Sequence, residues 1–375
     1  MQTMHPTLLI GPADWDAVRF PLEEFTRRLD TLWQDHPDAG GAIVYGSAHD
    51  HAALAYLTHF TPKLEAALAL IPREGAPRLL IGGGANMVAA ARPLTFIEDL
   101  KPLRGAATAA AEWARGLAPR PVVLIGGDAM SYDARRSLDA ALGSSNAPLN
   151  GDDRLRRRML QKSSRELAAI KGACGILGAT VHTLEKFFDS GRGAAECVLG
   201  AEHTALQRGA QDVRSLFTRD RGAVLRPFET LIPQRVDPLQ VYLAVRDAGY
   251  WAEAFVSLSE EENAMQTLSR EAVDAMVGVA RPNITSAELW QLVENKRGRY
   301  DLHELTQNAF GSSIGLALDE QPLLLREGET KLVPGAVYSL RAGFGDAKGS
   351  SAIASAMFVV TEVGHERLWP MAAVP

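Results

Sequence analysis

The sequence predicts two mixed α and β domains, an α/β domain over residues 1–153 and a second domain over 154–375. Three observations predict this. The 375 residues suffice for two domains, each with its own core. The first half alternates strand-like and helix-like segments, the pattern of an α/β fold. Near residue 153 the composition changes abruptly, from Ser, Asn, Pro and Gly in SSNAPLNG to the basic run DDRLRRRML, as at a domain joint.

In the first half, Phe20 to Trp33 spaces its apolar residues at helical intervals and reads as an amphipathic helix. GAIVYGS follows as a strand, and HDHAALAYLTHF as a turn and short helix. ALALIP and PRLLIGGG form a hairpin around Arg73-Glu74-Gly75, and ATAAAEWARGL is an Ala-rich helix. PVVLIGGDAMSYDARRSLDAAL then repeats strand, turn and helix. Gly82-Gly83-Gly84 and Gly126-Gly127 each sit between a strand and a helix, as phosphate loops do. Neither completes G-x-G-x-x-G or a Walker Lys-Ser/Thr, so tight turns explain these glycines better than a nucleotide. His49-Asp50-His51 carries two imidazoles without a third ligand nearby, which reads as an exposed polar loop.

At the joint, Arg154, Arg156, Arg157 and Arg158 with Lys162 read as a solvated interdomain connector. A long amphipathic helix, SRELAAIKGACGILGATVHTLEKFF, follows. Beyond it, the stretch from Arg226 to Glu253 organises the second domain. Arg226, Glu229 and Arg235 stand among Pro, Phe, Leu and Ile. VYLAV then runs as a strand, Arg246 and Asp247 lead into a turn at Ala248-Gly249, and Glu253 lies between Trp251 and Phe255. The pattern is that of two half-buried strands joined by a turn. A carboxylate between Trp and Phe is costly to bury in ionised form, so its pKa rises or a cation answers it.

Composition excludes several function classes. Hydrophobic residues at 46% and charged residues at 22% are ordinary for a globular protein. A net charge of −6 argues against a dedicated nucleic-acid binder. The two cysteines, Cys174 and Cys197, form no C-x-x-C pair, which excludes a cysteine-built zinc site and fits a reducing compartment. The start, MQTMHPTLLIGPADWD, lacks the basic region and apolar run of a signal peptide. No stretch reaches ~18 uninterrupted apolar residues, so no membrane span is expected. The expected location is cytoplasmic.

Two catalytic motifs fail on inspection. Gly311-Ser312-Ser313-Ile314-Gly315 matches G-x-S-x-G, but that elbow needs a following helix and ALDEQPLL reads as strand or loop. His303-Glu304-Leu305-Thr306-Gln307 begins like H-E-x-x-H and ends on Gln, so the zincin reading falls.

Several segments in order resemble the pita-bread family, which includes creatinase, aminopeptidase P and prolidase. RMLQKSSRELAAIKGACGI is similar to its entry helix. ARPNITSAELWQLV resembles its kPG-x-T helix opening, with Asn283 where glycine is usual. GSSIGLALDEQPLL resembles its glycine-rich strand and H-E-x-P segment, with Asp319 in place of the histidine, beside Glu320. LVPGAVYSLRAGFG and AIASAMFVVTEVGHERL resemble its last two motif strands, and YLTHF resembles the YLTGF of the creatinase-type N-terminal domain. The resemblance covers nearly the whole chain. It implies a creatinase-like N-terminal α/β domain followed by an α+β pita-bread domain.

Metallopeptidases of that family hold two divalent ions with Asp, Asp, His, Glu and Glu. Aligned on GYWAE, those positions are Tyr242, Glu253, Ser312, Arg341 and Ser355 here. A dinuclear site needs several anionic or imidazole ligands, and a guanidinium at its centre repels the ions. The expectation is therefore no metal and no cofactor. Creatinase is a metal-free member that cleaves C–N bonds of small cationic or zwitterionic substrates. By this resemblance Glu253 is the central carboxylate, with Glu229 or Asp319 as the second. Two carboxylates in a half-apolar pocket repel each other, so one pKa rises toward neutrality and that group serves as acid or base. Arg341 and Arg226 would grip a substrate carboxylate, with Trp251 and Phe255 as an apolar wall and Ser312 and Ser355 lining the site. No histidine stands where those hydrolases carry theirs, so proton transfer falls to a carboxylate or Tyr242.

The resulting expectation is a metal-independent enzyme acting on a small polar or zwitterionic C–N-containing metabolite, by hydrolysis of an amidine or amide bond. A lyase or specialised biosynthetic enzyme, and a non-catalytic peptide-binding module, are the alternatives on this fold. The expected assembly is a homodimer, with His49, Asp50 or His59 reaching the partner's site.

Overall fold

The computed structural model describes residues 14–63, 65–143, 147–219, 224–228, 234–298 and 302–370, apart from the side chains of Asn86 and His303. The chain divides into two compact units, Met1–Met159 and Leu160–Pro375.

The first unit is built on one six-stranded sheet of order β4-β3-β2-β1-β5-β6. In chain order its elements are α1 (Leu22–Asp35), β1 (Gly41–Gly46), α2 (Ala52–Thr58), β2 (Ala67–Pro72), β3 (Arg78–Ile81), α3 (Ala85–Ala90), β4 (Asp99–Pro102), α4 (Ala106–Gly116), β5 (Val122–Ile125), α5 (Tyr132–Leu142), β6 (Leu149–Asn150) and α6 (Asp152–Leu160). The hairpin expected around Gly75 is there, β2 against β3. Strand β1 pairs antiparallel with β2 and parallel with β5. Ile43, Leu68, Leu70, Leu80 and Leu124 pack with Ala110, Ala111 and Ala114 of α4. An Ala-rich helix face lets that helix lie close on the sheet, where each large apolar side chain contributes about 1.5–3 kcal/mol on burial. Both glycine turns do structural work: Gly83 (φ 96°) and Gly126 (φ 76°) adopt the left-handed region, and a Cβ on Gly126 would lie 2.3 Å from the Tyr45 carbonyl oxygen.

The basic run at the joint is helical, with Arg154, Arg156 and Arg157 exposed. Acidic Asp152 and Asp153 open α6 and arginines close it, an order that complements the helix dipole. Arg158 forms an ion pair with Asp35 at 2.7 Å, and Arg154 donates to the Asp35 carbonyl. Those contacts tie α6 to the first unit, which runs to Met159.

The second unit runs α7 (Ser164–Asp189), α8 (Ala194–Gln207), β7 (Asp212–Phe217), β8 (Leu239–Asp247), β9 (Tyr250–Leu258), α9 (Ala264–Gly278), α10 (Ser286–Arg297), β10 (Leu302–Glu304), β11 (Ala309–Ser313), β12 (Glu320–Leu325), β13 (Val337–Asp346), β14 (Ser351–Val360) and β15 (His365–Trp369). Its strands form a three-stranded sheet β7-β8-β9 and a sheet of order β12-β11-β13-β14-β15, with β10 added on β13. Every pairing in both is antiparallel.

Side-chain alternation assigns the faces. Along β13, Tyr338, Leu340, Ala342 and Phe344 enter a core with Met276, Val277 and Trp290 of α9 and α10, as do Ala352, Ala356, Phe358 and Val360 of β14. Successive strand residues point to opposite sides, so Ser339, Arg341, Ser355 and Met357 share the other face. On β9, Tyr250 turns toward α7, donating to Glu166 Oε1 at 3.1 Å. Trp251, Glu253 and Phe255 therefore face away from α7.

Helix α7 is long and apolar enough to cross a membrane by length and composition. It is nonetheless the core helix of this unit, with Ile170, Ala173, Cys174, Leu177, Val181 and Leu184 buried. A Ser163–Glu166 capping box starts it. Burial pushes the Cys174 thiol up to about 12, which keeps it protonated and inert. Both cysteines are free.

Candidate functional site

Strands β8 and β9 pair from Leu239↔Leu258 to Asp247↔Tyr250, joined by Ala248 (φ 48°) and Gly249 (φ 86°). Two consecutive positive φ values make the tight turn whose twist matches a hairpin. The register sets Tyr242 opposite Phe255 and Ala244 opposite Glu253. Tyr242 and Glu253 thereby become diagonal neighbours on one face, and the Tyr242 hydroxyl donates to Glu253 Oε2 at 2.9 Å.

The other sheet completes the site. Ser339 of β13 donates to Glu253 Oε1 at 2.6 Å. The Glu253 N–H reaches Met357 Sδ at 3.3 Å, and the Phe255 N–H donates to Ser355 Oγ at 2.7 Å. Ser257 Oγ continues the series, donating to the Ile353 carbonyl at 2.9 Å and accepting from its N–H at 2.8 Å. The β9 edge and β14 are thus joined mainly through side-chain bonds. Arg341, directly opposite Ser355 in the β13–β14 register, lays its guanidinium over the Phe255 ring at 5.2 Å. Phe255 in turn packs on Tyr242 with ring centres 4.8 Å apart. Ser312 Oγ lies 3.4 Å from Asp319 Oδ1.

Glu253 is 3% exposed. Burial pushes its carboxyl pKa up; the Ser339 bond, the Arg341 charge and the Tyr242 bond pull it down, and the Asp319 charge pushes it further up. Tyr242 is also raised, first by burial and then by the charge and hydrogen bond of Glu253. The phenol therefore stays protonated and acts as a donor. One carboxyl that resists ionisation, a fixed phenol and a guanidinium stacked on an aromatic ring can bind a carboxylate and move a proton beside it.

The structure brings together Glu253, Tyr242, Phe255, Arg341, Ser355, Ser312 and Asp319. The other residues singled out have local surroundings of their own. Trp251 shares the face of Glu253 and lies between two guanidinium groups, Arg214 at 4.7 Å and Arg246 at 5.7 Å, because the register puts Arg246 directly opposite it. Arg226 is exposed, held by its backbone against Phe217. His59 belongs to the first unit, where it packs on Phe25 and donates from Nδ1 to the Leu94 carbonyl at 3.2 Å. His49 and Asp50 form a turn in that unit on Ser47 Oγ. Glu229 lies outside the described residues.

Sequence reasoning missed Ser339 and Met357. Their signal was period two: Ser339 precedes Arg341 by two residues and Met357 follows Ser355 by two, so each shares its neighbour's face. The G-x-S-x-G reading also ends here, since Ser312 and Ser313 sit within β11 and β12 follows rather than a helix. A separate groove of about 970 Å³ is lined by Thr285, Trp290, Gln291, Arg326 and Lys331. Arg326 in it is ion-paired with Glu304 and stacked on Trp290 at 4.5 Å.

Residues 234–362 match the model of metallopeptidase family M24. A Xaa-Pro dipeptidase from Pyrococcus horikoshii is 22% identical over 231 residues, covering 58% of this chain and 64% of that protein. The chain thus aligns with less than two thirds of that relative's length. Among solved structures, X-Pro aminopeptidase from Thermotoga maritima superposes with TM-score 0.72 at 16% identity, over 90% of this chain and 98% of that one. Xaa-Pro dipeptidase from Bacillus anthracis gives TM-score 0.73 at 16% identity, over 93% and 98%. The chain has the pita-bread fold.

Within that fold the donor set does not fit a pair of divalent ions. Hard cations take several oxygen ligands, and of the side chains gathered here only Glu253 and Asp319 are carboxylates. Glu253 already accepts from Tyr242 and Ser339, and Arg341 places a positive charge beside it. Among the described residues, no group of three or more His, Cys, Asp or Glu is placed to hold a metal ion.

Proposed function

We propose that this protein is a metal-independent hydrolase of a C–N bond in a small, carboxylate-bearing substrate. The observation that carries the reading is a buried carboxyl, Glu253, in the field of a guanidinium, Arg341, that stacks on Phe255. The hydrolase part is also supported by the likeness to proteins named Xaa-Pro dipeptidase and X-Pro aminopeptidase.

Arg341 grips the substrate carboxylate through its fork of N–H donors, and the Phe255 ring supports the guanidinium from one side. Glu253 in its ionised form takes a proton from water as the water oxygen bonds to the substrate's amide or amidine carbon. The same proton passes from Glu253 to the leaving nitrogen as the C–N bond breaks. A carboxyl whose pKa is raised toward the working pH suits both halves of this cycle. Tyr242 and Ser339 hold the carboxyl in one orientation. Asp319, exposed beside Ser312, offers a negative charge to a cationic nitrogen.

The test is a thermal-shift and hydrolysis screen of wild type and Glu253→Gln. The panel holds guanidino acids, cyclic amidines, amino-acid amides and Xaa-Pro dipeptides, each with and without chelator and added Mn²⁺ or Zn²⁺. A ligand at ~100 times its dissociation constant stabilises by about 2.7 kcal/mol. The expected result is a small zwitterion that stabilises wild type, is hydrolysed only by wild type, and is indifferent to chelator. Turnover confined to Xaa-Pro dipeptides in the presence of metal would overturn the reading.

A further inference from the structure

The segment that carries Asp319 is anchored from beneath by groups outside the site. Glu320, the first residue of β12, directs Oε1 at two backbone donors, the N–H of Leu316 at 2.7 Å and of Ala317 at 3.3 Å. Its other oxygen meets Lys162 Nζ at 2.7 Å, in an ion pair whose side chains are 2% and 10% exposed. Lys162 is itself fixed, donating its own N–H to the Gly335 carbonyl at 2.9 Å. Gly315 lies against the pair so closely that a Cβ there would come 2.7 Å from Lys162 Nζ and 2.8 Å from Glu320 Oε1. From the opposite direction, the Trp251 N–H donates to the Gly315 carbonyl at 2.8 Å. The loop between β11 and β12 is therefore bonded to two separate supports, with Asp319 next to one of them.

A buried ion pair is seldom retained for stability, because desolvation cancels much of the attraction. Here the pair has a further geometric consequence. Glu320 without Lys162 would be a buried, uncompensated charge that leaves the loop amides for water. With Lys162 it is pinned, and it folds Gly315–Ala317 back so that the chain returns at Asp319 beside Ser312.

We infer that Glu320, pinned by Lys162, is a positioning residue that holds Asp319 at the Glu253–Tyr242 site. The inference rests on the reading of Asp319 as the site's second carboxylate.

The test compares two neutral replacements of the pair in the full-length protein. Lys162→Met with Glu320→Ala removes both the charges and the acceptor; Lys162→Met with Glu320→Gln removes the charges and keeps a carbonyl acceptor for Leu316 and Ala317. Neither leaves an unpaired buried charge, so both are expected to fold. Amide exchange is read at Leu316 and Ala317, and the Glu253 titration is read from its carboxyl infrared band against an Asp319→Asn reference. In the double variant carrying Glu320→Ala, exchange at the two amides accelerates at least tenfold, and the Glu253 midpoint moves down as far as it does in Asp319→Asn. Adding Asp319→Asn to that variant then moves it no further. In the double variant carrying Glu320→Gln, which keeps an acceptor and loses the ion pair, both readouts fall between wild type and the Glu320→Ala variant.

Unchanged exchange at Leu316 and Ala317, or a further full shift on adding Asp319→Asn, would overturn the inference while leaving Asp319 in the site. A Glu253 midpoint indifferent to Asp319→Asn alone would overturn both. Should the double variant with Glu320→Ala not fold, Lys162→Met with Glu320→Leu, which restores the volume and offers no acceptor, is read in its place. Accelerated exchange of the loop amides and the lowered Glu253 midpoint are expected there, and a wild-type value of either counts against the inference.

Discussion

Ser355 Oγ accepts the N–H of Phe255 at 2.7 Å, joining β14 to the edge of β9 at the level of the site. Replacing Ser355 by Ala leaves that buried N–H without its acceptor. A lost partner of this kind costs about 1–3 kcal/mol. The expected outcome is a lower denaturation midpoint with unchanged m-value. A stability equal to wild type would show that the two strands are not held by this bond.

Glu253→Gln should reverse sign in its effect with pH. The folded carboxyl pKa is raised above its unfolded value near 4.5, so its favourable contribution is complete below that value. As pH rises through the folded pKa, the native state must ionise a buried group and that contribution is lost. Wild type should therefore weaken relative to the Gln variant from about pH 4.5 upward. Melting curves of both proteins at several pH values check this; a gap independent of pH would mean that Glu253 titrates normally.

Arg341→Lys should not rescue Arg341→Met. A lysine keeps the charge but loses the planar fork and the stacking on Phe255. For a carboxylate-bearing ligand, affinity should fall about tenfold or more in both variants, since hydrogen bonds to charged groups are worth about 1.5–3 kcal/mol. The corresponding carboxamide should bind wild type and variants alike. Titration calorimetry with the acid and amide pair decides it.

Two backbone positions give opposite stability changes. Ala248 and Asn283 both hold positive φ, 48° and 69°, where a Cβ costs about 1–2 kcal/mol and Asn or Gly is better tolerated. Ala248→Asn should raise stability by about 1 kcal/mol, and Asn283→Ala should lower it by a similar amount. Chemical denaturation measures both.

Much of the second unit was legible because local chemistry specifies it. The Ala248-Gly249 turn, the alternation along β13 and the Ser163–Glu166 box are written within a few residues of each other. Asn283 standing where the resemblance expects glycine is explained by its left-handed backbone. What the basic run did not disclose is the carboxylate partner of Arg158. That partner, Asp35, lies 123 residues from Arg158.

The amino-acid sequence by itself determined the strands and helices and the hairpin that makes Tyr242 and Glu253 neighbours. These depend on side-chain period and turn conformation, which act over a few residues. Only the tertiary structure decided which side chains surround Glu253. Ser339, Met357 and the Ser355 bond to Phe255 come from 86 to 104 residues away. Contacts of that range follow from how the two sheets pack, and packing depends on the whole core at once.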